Sequence, residues 1–525
     1  VSKISSDGLT YTGRFGGGLR EDLARRLPFY GHDFTNGLHP KVLASTMFLF
    51  FACLANAIAF GGLTDVVTGG QIGTTEMIVA TAVGGVAFAL LGGQPLTILG
   101  GTGPITIFTG LLYVACQSLE LPFLATYAWT GIWSGLLLVL LAVTDASALM
   151  RYFTRFTDEI FAALIAVIFI VEAVKSMVEP FSSVREGIGG DYALPLLGVV
   201  LSLGTFSLSR SLKGAAQTRF LVSGARNFLS DFGPSIAIGS MTLIALVLPA
   251  IEMPVPVIPE EFGTTTGRPW MVDLFVLPTW AIFACIGPAL MATILLFLDQ
   301  NITTRLVNAP SHKLKKGPGF HLDLVIVGLI VGIGSIFALP WIVAATVHAL
   351  NHVKSLATLK VVDEGGVKRE VIQEVRENRV SAVSIHVLIG CSILILPLIK
   401  LVPMAVLFGL FLFMGFNTLG GNQLWDRFLL WFTDPKLYPE THYVRRVPIR
   451  KIHLFTLVQL LALAALWVLK TNPSVGILFP VLIALLVPFR FMLKRWFSEQ
   501  ELAALDAEED AEEVEETMFA GDAHS

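Results

Sequence analysis

Asp299 and Thr303 are the residues whose types and spacing point most directly to ion chemistry. A carboxylate and a hydroxyl four positions apart share one helix face, and hard cations prefer oxygen ligands of this kind. Asp299 follows the apolar run 281–298 and precedes Gln-Asn-Ile-Thr-Thr-Arg. A bilayer-spanning helix needs roughly 20 residues, so one entering near Trp280 still holds position 299 in or near the hydrocarbon. There a carboxylate costs about 2.5–3.5 kcal/mol and faces a cavity, a partner or an ion path. Two plainer readings stand beside this one. A helix stopping at Leu298 leaves Asp299 at the membrane interface, and Thr303 can bond back to its own helix.

A second chemistry lies in two interrupted segments. Residues 90–108, Leu-Leu-Gly-Gly-Gln-Pro-Leu-Thr-Ile-Leu-Gly-Gly-Thr-Gly-Pro-Ile-Thr-Ile-Phe, pass from a glycine-rich extended stretch into a helix. Thr102 is the expected N-cap and Pro104 falls in the first turn. Residues 332–348 do the same around Pro340 and continue through Ala344, Ala345 and Thr346 to His348. Helix N-termini carry unsatisfied amides and a positive dipole end, so Thr102, Gly103, Pro104 and Ile105, with Ala344, Ala345, Thr346 and His348, form a candidate anion site that needs no basic side chain. The competing reading is that these prolines and glycines kink two full helices, which membrane bundles tolerate. His348 is either a hydrogen-bonded packing residue or, when protonated, a titratable positive charge.

The elements that must position these groups are membrane helices. With 54% hydrophobic and only 14% charged residues, and a mean hydropathy of +0.71, the chain is too apolar for a soluble globular protein. The fold class expected is an all-α polytopic membrane protein. Hydropathy gives about fourteen segments, of which the third (103–117) and the tenth (341–353) are too short to cross as helices. Each is third in its set of seven. An odd number of spans per half inverts the second repeat, and broken segments in matching positions mark a transporter's midplane site.

Lysine and arginine cluster in alternate loops, including Arg151 and Arg155, Arg210 to Arg226, Arg305 to Lys316 and Arg427 to Lys451. The loop 62–75 has none. That alternation places both termini in the cytoplasm. The first forty residues are polar with no apolar h-region, so no cleavable signal is expected. Cys53, Cys116, Cys285 and Cys391 lie in apolar stretches without paired spacing, which reads as buried thiols rather than a metal site or disulfide framework. No nucleophile–base constellation or cofactor motif supports an enzyme, and nothing points to nucleic acid.

Several strings resemble the bicarbonate transporter family that includes band 3 anion exchangers and sodium-bicarbonate cotransporters. They are Thr102-Gly-Pro, Thr144-Asp-Ala-Ser, Tyr152-Phe-Thr-Arg-Phe-Thr, Asp299-Gln-Asn-Ile-Thr, the run 312–324, Leu339-Pro-Trp-Ile-Val-Ala-Ala-Thr-Val, Gln423-Leu-Trp-Asp-Arg and His453-Leu-Phe-Thr. The resemblance implies 14 transmembrane segments as 7+7 inverted repeats, elevator-like transport and a homodimer through the gate. It divides the chain into a cytoplasmic segment 1–40, core parts 41–143 and 278–400, gate parts 144–277 and 401–495, and an acidic cytoplasmic tail 496–525. The expected place is the plasma membrane.

Within that family Asp299 sides with the sodium-coupled branch, whereas exchangers usually carry glutamate there and arginine at the position of His348. His348 fits neither pattern. Without that arginine, a sodium ion can supply the positive charge an anion needs. Asp299 and Thr303, with Val343, Ala344 and Thr346, are the expected sodium shell. The substrates implied are bicarbonate or carbonate with sodium, the alternative being sodium-independent chloride/bicarbonate exchange or borate transport. Thr109 departs from the glutamate of many relatives.

Residues 363–379 read as a cytoplasmic turn and a mixed-charge amphipathic helix. The string Leu505-Asp-Ala-Glu-Glu-Asp resembles a tail motif proposed to contact carbonic anhydrase, although acidic tails are usually disordered and solubilising.

Overall fold

The computed structural model describes residues 8–507 apart from 187–190, 216–217, 219, 257–261, 365–366, 421, 440 and 473–474. It is predominantly helical. Nine helices among the described residues are long and apolar enough to cross a membrane, or up to eleven if each of two bent pairs is one span. The other apolar segments expected from sequence are shorter helices: Gly103–Ser118, Phe320–Ile336 and Thr346–Leu356. The helix of the tenth segment begins at Thr346, five residues later than expected. The stretch through Ala345 stays extended because Val343 and Ala344 pair with Gly100 and Leu99 and the Ala345 amide donates to Ile98 O at 2.8 Å.

Packing divides the chain into two compact units, residues 1–150 with 167–416, and 151–166 with 417–525. These packing units are drawn differently from the core and gate parts that the family resemblance implies.

In the first unit, helices Phe123–Val143 and Phe320–Ile336 make an extensive contact that small residues permit. A Cβ on Gly135 would lie 2.5 Å from the carbonyl oxygen of Gly328 and 2.9 Å from Cα of Gly332. Backbone-to-backbone approach of this kind is how apolar helices associate without a hydrophobic driving force in lipid.

The N-terminal segment is folded onto this unit. Helix Gly17–Arg26 places Asp22, which accepts from the amides of His321 (2.7 Å) and Leu322 (3.1 Å) and so caps Phe320–Ile336 from another part of the chain. Asp33 is fully buried and accepts from Lys316 Nζ and from Arg379 Nε, the latter at 3.2 Å. Arg379 in turn donates to the carbonyl of Ala89 at 2.8 Å, at the end of helix Thr74–Leu91.

Three sequence expectations are corrected. Residues 357–364 and 367–375 pair as an antiparallel hairpin, strands β3 (Ala357–Glu364) and β4 (Val367–Val375), where an amphipathic helix was expected, while the expected turn at 365–366 lies outside the described residues. The signal was present in Gly365-Gly366 between β-branched runs, but the Glu/Arg-rich composition of 368–379 outweighed it in a helical reading. Cys391 is exposed, unlike the other three cysteines. The chain from 498 to 506 is not a free acidic tail.

In the second unit, Ser498 caps helix Glu499–Asp506 in a reciprocal box with Glu501, and Leu502 and Leu505 are buried. Asp506 accepts from the amide of Phe156 and from Arg490 Nε, each at 3.0 Å. The same unit buries Arg427, which donates to Glu159 and, at 2.8 Å, to Gln459 Oε1. Glu508 to Asp510 of the acidic string lie outside the described residues.

Candidate functional site

All the residues singled out above for ion chemistry belong to the first unit. Its two extended stretches meet as a short antiparallel bridge, β1 (Leu99–Gly100) with β2 (Val343–Ala344), paired Leu99 to Ala344 and Gly100 to Val343. Each strand leads directly into a short helix, the first starting at Gly103 and the second at Thr346. Intrahelical bonding begins only with Thr106 N–H to Thr102 and Ala349 N–H to Ala345. The amides ahead of these bonds point out of the helix ends.

The bridge needs close backbone approach and rigid anchoring. A Cβ on Gly101 would sit 2.8 Å from Phe60 Cβ, so the approach to the first short helix has no room for a side chain. Its upstream amides, Gly93 and Gln94, donate to Asp323 Oδ1 at 2.6 and 3.1 Å. His352, on the second short helix, donates from Nδ1 to the carbonyl of Leu96 at 2.9 Å. The second approach is held by Tyr127, whose hydroxyl donates to Leu339 O (3.2 Å) and accepts from Trp341 N–H (3.1 Å). The two rings stack with centroids 4.4 Å apart.

Helix Ile286–Val307 continues well past Leu298, so Asp299 lies within it rather than at its end, and is only 7% exposed. Thr102 occupies the N-cap position of the first short helix but caps nothing with its side chain. Its hydroxyl donates to Asp299 Oδ2 at 2.8 Å instead. Thr303 does not bond back to its own helix. It is within 2.6 Å of the Thr346 hydroxyl and 3.3 Å from the Ala344 carbonyl, to which it donates. One helix face therefore joins the first short helix through Asp299 and the second through Thr303.

The remaining residues divide clearly. Gly103, Pro104, Ile105 and Ala345 are buried at the two helix starts. His348 turns to helix Pro40–Val67, where Nε2 donates to the Ala52 carbonyl at 3.2 Å.

Val343 is not brought to the Thr303 side. Ala344 N–H faces Gln300 Oε1 at 3.1 Å, and in a planar trans peptide the carbonyl of the preceding residue points the opposite way. The Val343 carbonyl therefore faces β1, while that of Ala344 faces Thr303. Gln300, Tyr127 and His352 were not singled out from sequence. The available signal was polar side chains in apolar helices, clearest at Asp299-Gln300-Asn301.

This geometry defines a class: a helical membrane fold whose two broken segments meet as a strand pair beside a buried carboxylate. The transmembrane domain of a cyanobacterium bicarbonate transporter, BicA, shares the fold with a TM-score of 0.57 at 16% identity, over 81% of this chain and 97% of that one. The family model described as HCO3- transporter integral membrane domain matches residues 14–186 and 186–510, and the chain belongs to that family. Its members named here are membrane transporters, not enzymes.

The rat (Rattus norvegicus) Band 3 anion transport protein is 38% identical over 522 residues, covering 96% of this chain and 56% of its own length. The Electroneutral sodium bicarbonate exchanger 1 of the same species is 36% identical over 564 residues, covering 95% of this chain and 51% of its own length. The chain thus spans about half the length of the curated relatives it matches.

Proposed function

We propose that the chain is a secondary active transporter that moves bicarbonate or carbonate together with sodium by elevator-type alternating access. The observation that carries this reading is the Thr102 hydroxyl bonded to Asp299 at 2.8 Å, where the start of one short helix meets a buried carboxylate. Amides at the starts of the two short helices suit an anion. Asp299, with Thr303, Thr346 and the Ala344 carbonyl, suits a hard cation. A cation bound between the carboxylate and the anion offsets the repulsion that a buried Asp299 would otherwise exert.

In this proposal the chain has 14 transmembrane segments in two inverted sets of seven. Parts 41–143 and 278–400 carry the ion site past gate parts 144–277 and 401–495. The protein is a homodimer through the gate in the plasma membrane, with both termini cytoplasmic. Neither sodium nor bicarbonate is a cofactor here, since both are cargo. A carbonic anhydrase at the acidic string would have to use residues beyond Asp506, because Asp506 is engaged within the fold.

The test is recovery of intracellular pH in bicarbonate buffer with and without external sodium. Recovery that stops on sodium removal supports the reading. Recovery indifferent to sodium favours chloride/bicarbonate exchange, a reading supported by the 38% identity with rat band 3.

A further inference from the structure

Ala344 is gripped on both of its backbone groups by one neighbouring helix. Its N–H donates to Gln300 Oε1 at 3.1 Å and its carbonyl accepts from Thr303 Oγ1 at 3.3 Å. Gln300 and Thr303 are three positions apart and so adjacent on the helix face. Both are fully buried, and Ala344 is 1% exposed. The Gln300 amide nitrogen points to Thr304 Oγ1 at 3.3 Å, which orients the side chain so that its oxygen faces Ala344. On the far side, Ala345 N–H donates to Ile98 O at 2.8 Å.

Two consecutive peptide planes are thereby fixed in alternation. The 343–344 peptide presents its N–H to Gln300, and the 344–345 peptide presents its carbonyl to Thr303. Asp299, one residue before Gln300, reaches the other short helix.

We propose, building on the transport reading above, that Gln300 is a positioning residue for the ion site. By holding the Ala344 amide it keeps the 344 carbonyl aimed at Thr303, and so sets how tightly ions bind. Without an acceptor at position 300, the Ala344 amide is a buried donor left unpaired. The 343–344 peptide then turns to find another partner, and because the two peptides share the Ala344 Cα, the change in backbone angles there also shifts the 344–345 carbonyl that faces Thr303.

The test compares Gln300→Met, which keeps length and removes the acceptor, with Gln300→Asn, which keeps a neutral amide acceptor on a shorter side chain. Bicarbonate-driven pH recovery is measured per molecule at the cell surface as a function of bicarbonate concentration. The half-saturating concentration is expected to rise about tenfold in Gln300→Met, the scale of one lost buried hydrogen bond, with the maximal rate largely kept. Gln300→Asn should fall between Gln300→Met and the wild type.

A half-saturating concentration unchanged in Gln300→Met, or equal impairment of the two variants, overturns the proposal. Thr304→Val, which removes only the group that orients the Gln300 amide, covers the case in which Gln300→Met does not reach the surface. It should give a smaller rise, and no rise overturns the proposal. Failure of sodium coupling is seen separately, in the wild type, because the Gln300 comparison is read on bicarbonate.

Discussion

The Thr102 hydroxyl donates to Asp299 Oδ2 at 2.8 Å across a sequence separation of 197 residues. The bond takes a residue that sits at a helix N-cap and spends its side chain on a carboxylate of another helix. The first turn of the short helix is left with its amides unclaimed by that hydroxyl, while the buried carboxylate gains a donor. Two groups that would each be poorly satisfied alone are organised around one point.

Removing either partner should therefore act on transport before it acts on folding. Asp299→Asn is expected to abolish sodium dependence of bicarbonate-driven pH recovery, since an amide cannot balance a cation. Thr102→Val is expected to cut the rate by about tenfold, the scale of one hydrogen bond to a charged group. Sodium-coupled activity at full rate in Asp299→Asn would remove that carboxylate from the mechanism.

Arg427 and Glu159 make a different kind of buried pair, one that holds the second unit together. Arg427 is fully buried and Glu159 nearly so. Leaving one charge without its partner costs roughly 3–5 kcal/mol. Arg427→Met should lower the melting temperature of the detergent-solubilised protein sharply, and Arg427→Met combined with Glu159→Gln should be less damaging than the two single losses summed. Additive losses would show that the two side chains act independently.

Asp506 ties helix Glu499–Asp506 to the start of helix Arg155–Arg185 through the Phe156 amide, and also accepts from Arg490. Asp506→Ala removes a cap and an ion pair together, worth about 1.5–3 kcal/mol for hydrogen bonds to a charged group. The expected outcome is a lower melting temperature with unchanged half-saturation for bicarbonate. A changed half-saturation would mean that this contact reaches the ion site.

Asp22 gives the protein a pH-dependent stability. Burial pushes its carboxyl up to about 7, against the bonds from Leu322, Arg25 and His321 that favour ionisation. The folded state holds this proton more tightly than the unfolded chain, whose aspartate titrates near 3.9. The stability it contributes is therefore complete below about pH 4 and lost as pH rises through about 7. Melting temperature should fall between about pH 4 and 7 and level off above that, and Asp22→Asn should flatten that fall. An identical slope in the variant would assign the pH dependence to other groups.

Local pattern was enough to locate the apolar segments, their interruption at 90–108 and 332–348, and the anomaly of Asp299 with Thr303. These are properties of composition and short-range spacing, which a chain cannot hide. Partner choice is not local. That Thr102 serves Asp299 rather than its own helix, that Gln300 holds Ala344, and that Asp506 closes onto Phe156 all depend on where distant segments meet. The hairpin strands at 357–364 and 367–375 are not legible in the sequence for a related reason: a strongly charged segment fits a solvated helix and a two-stranded ribbon almost equally well. Only the packing of Ala357 and Val375 against Val42, Leu96, Val307, Ala349, Val353 and Leu356 decides between them.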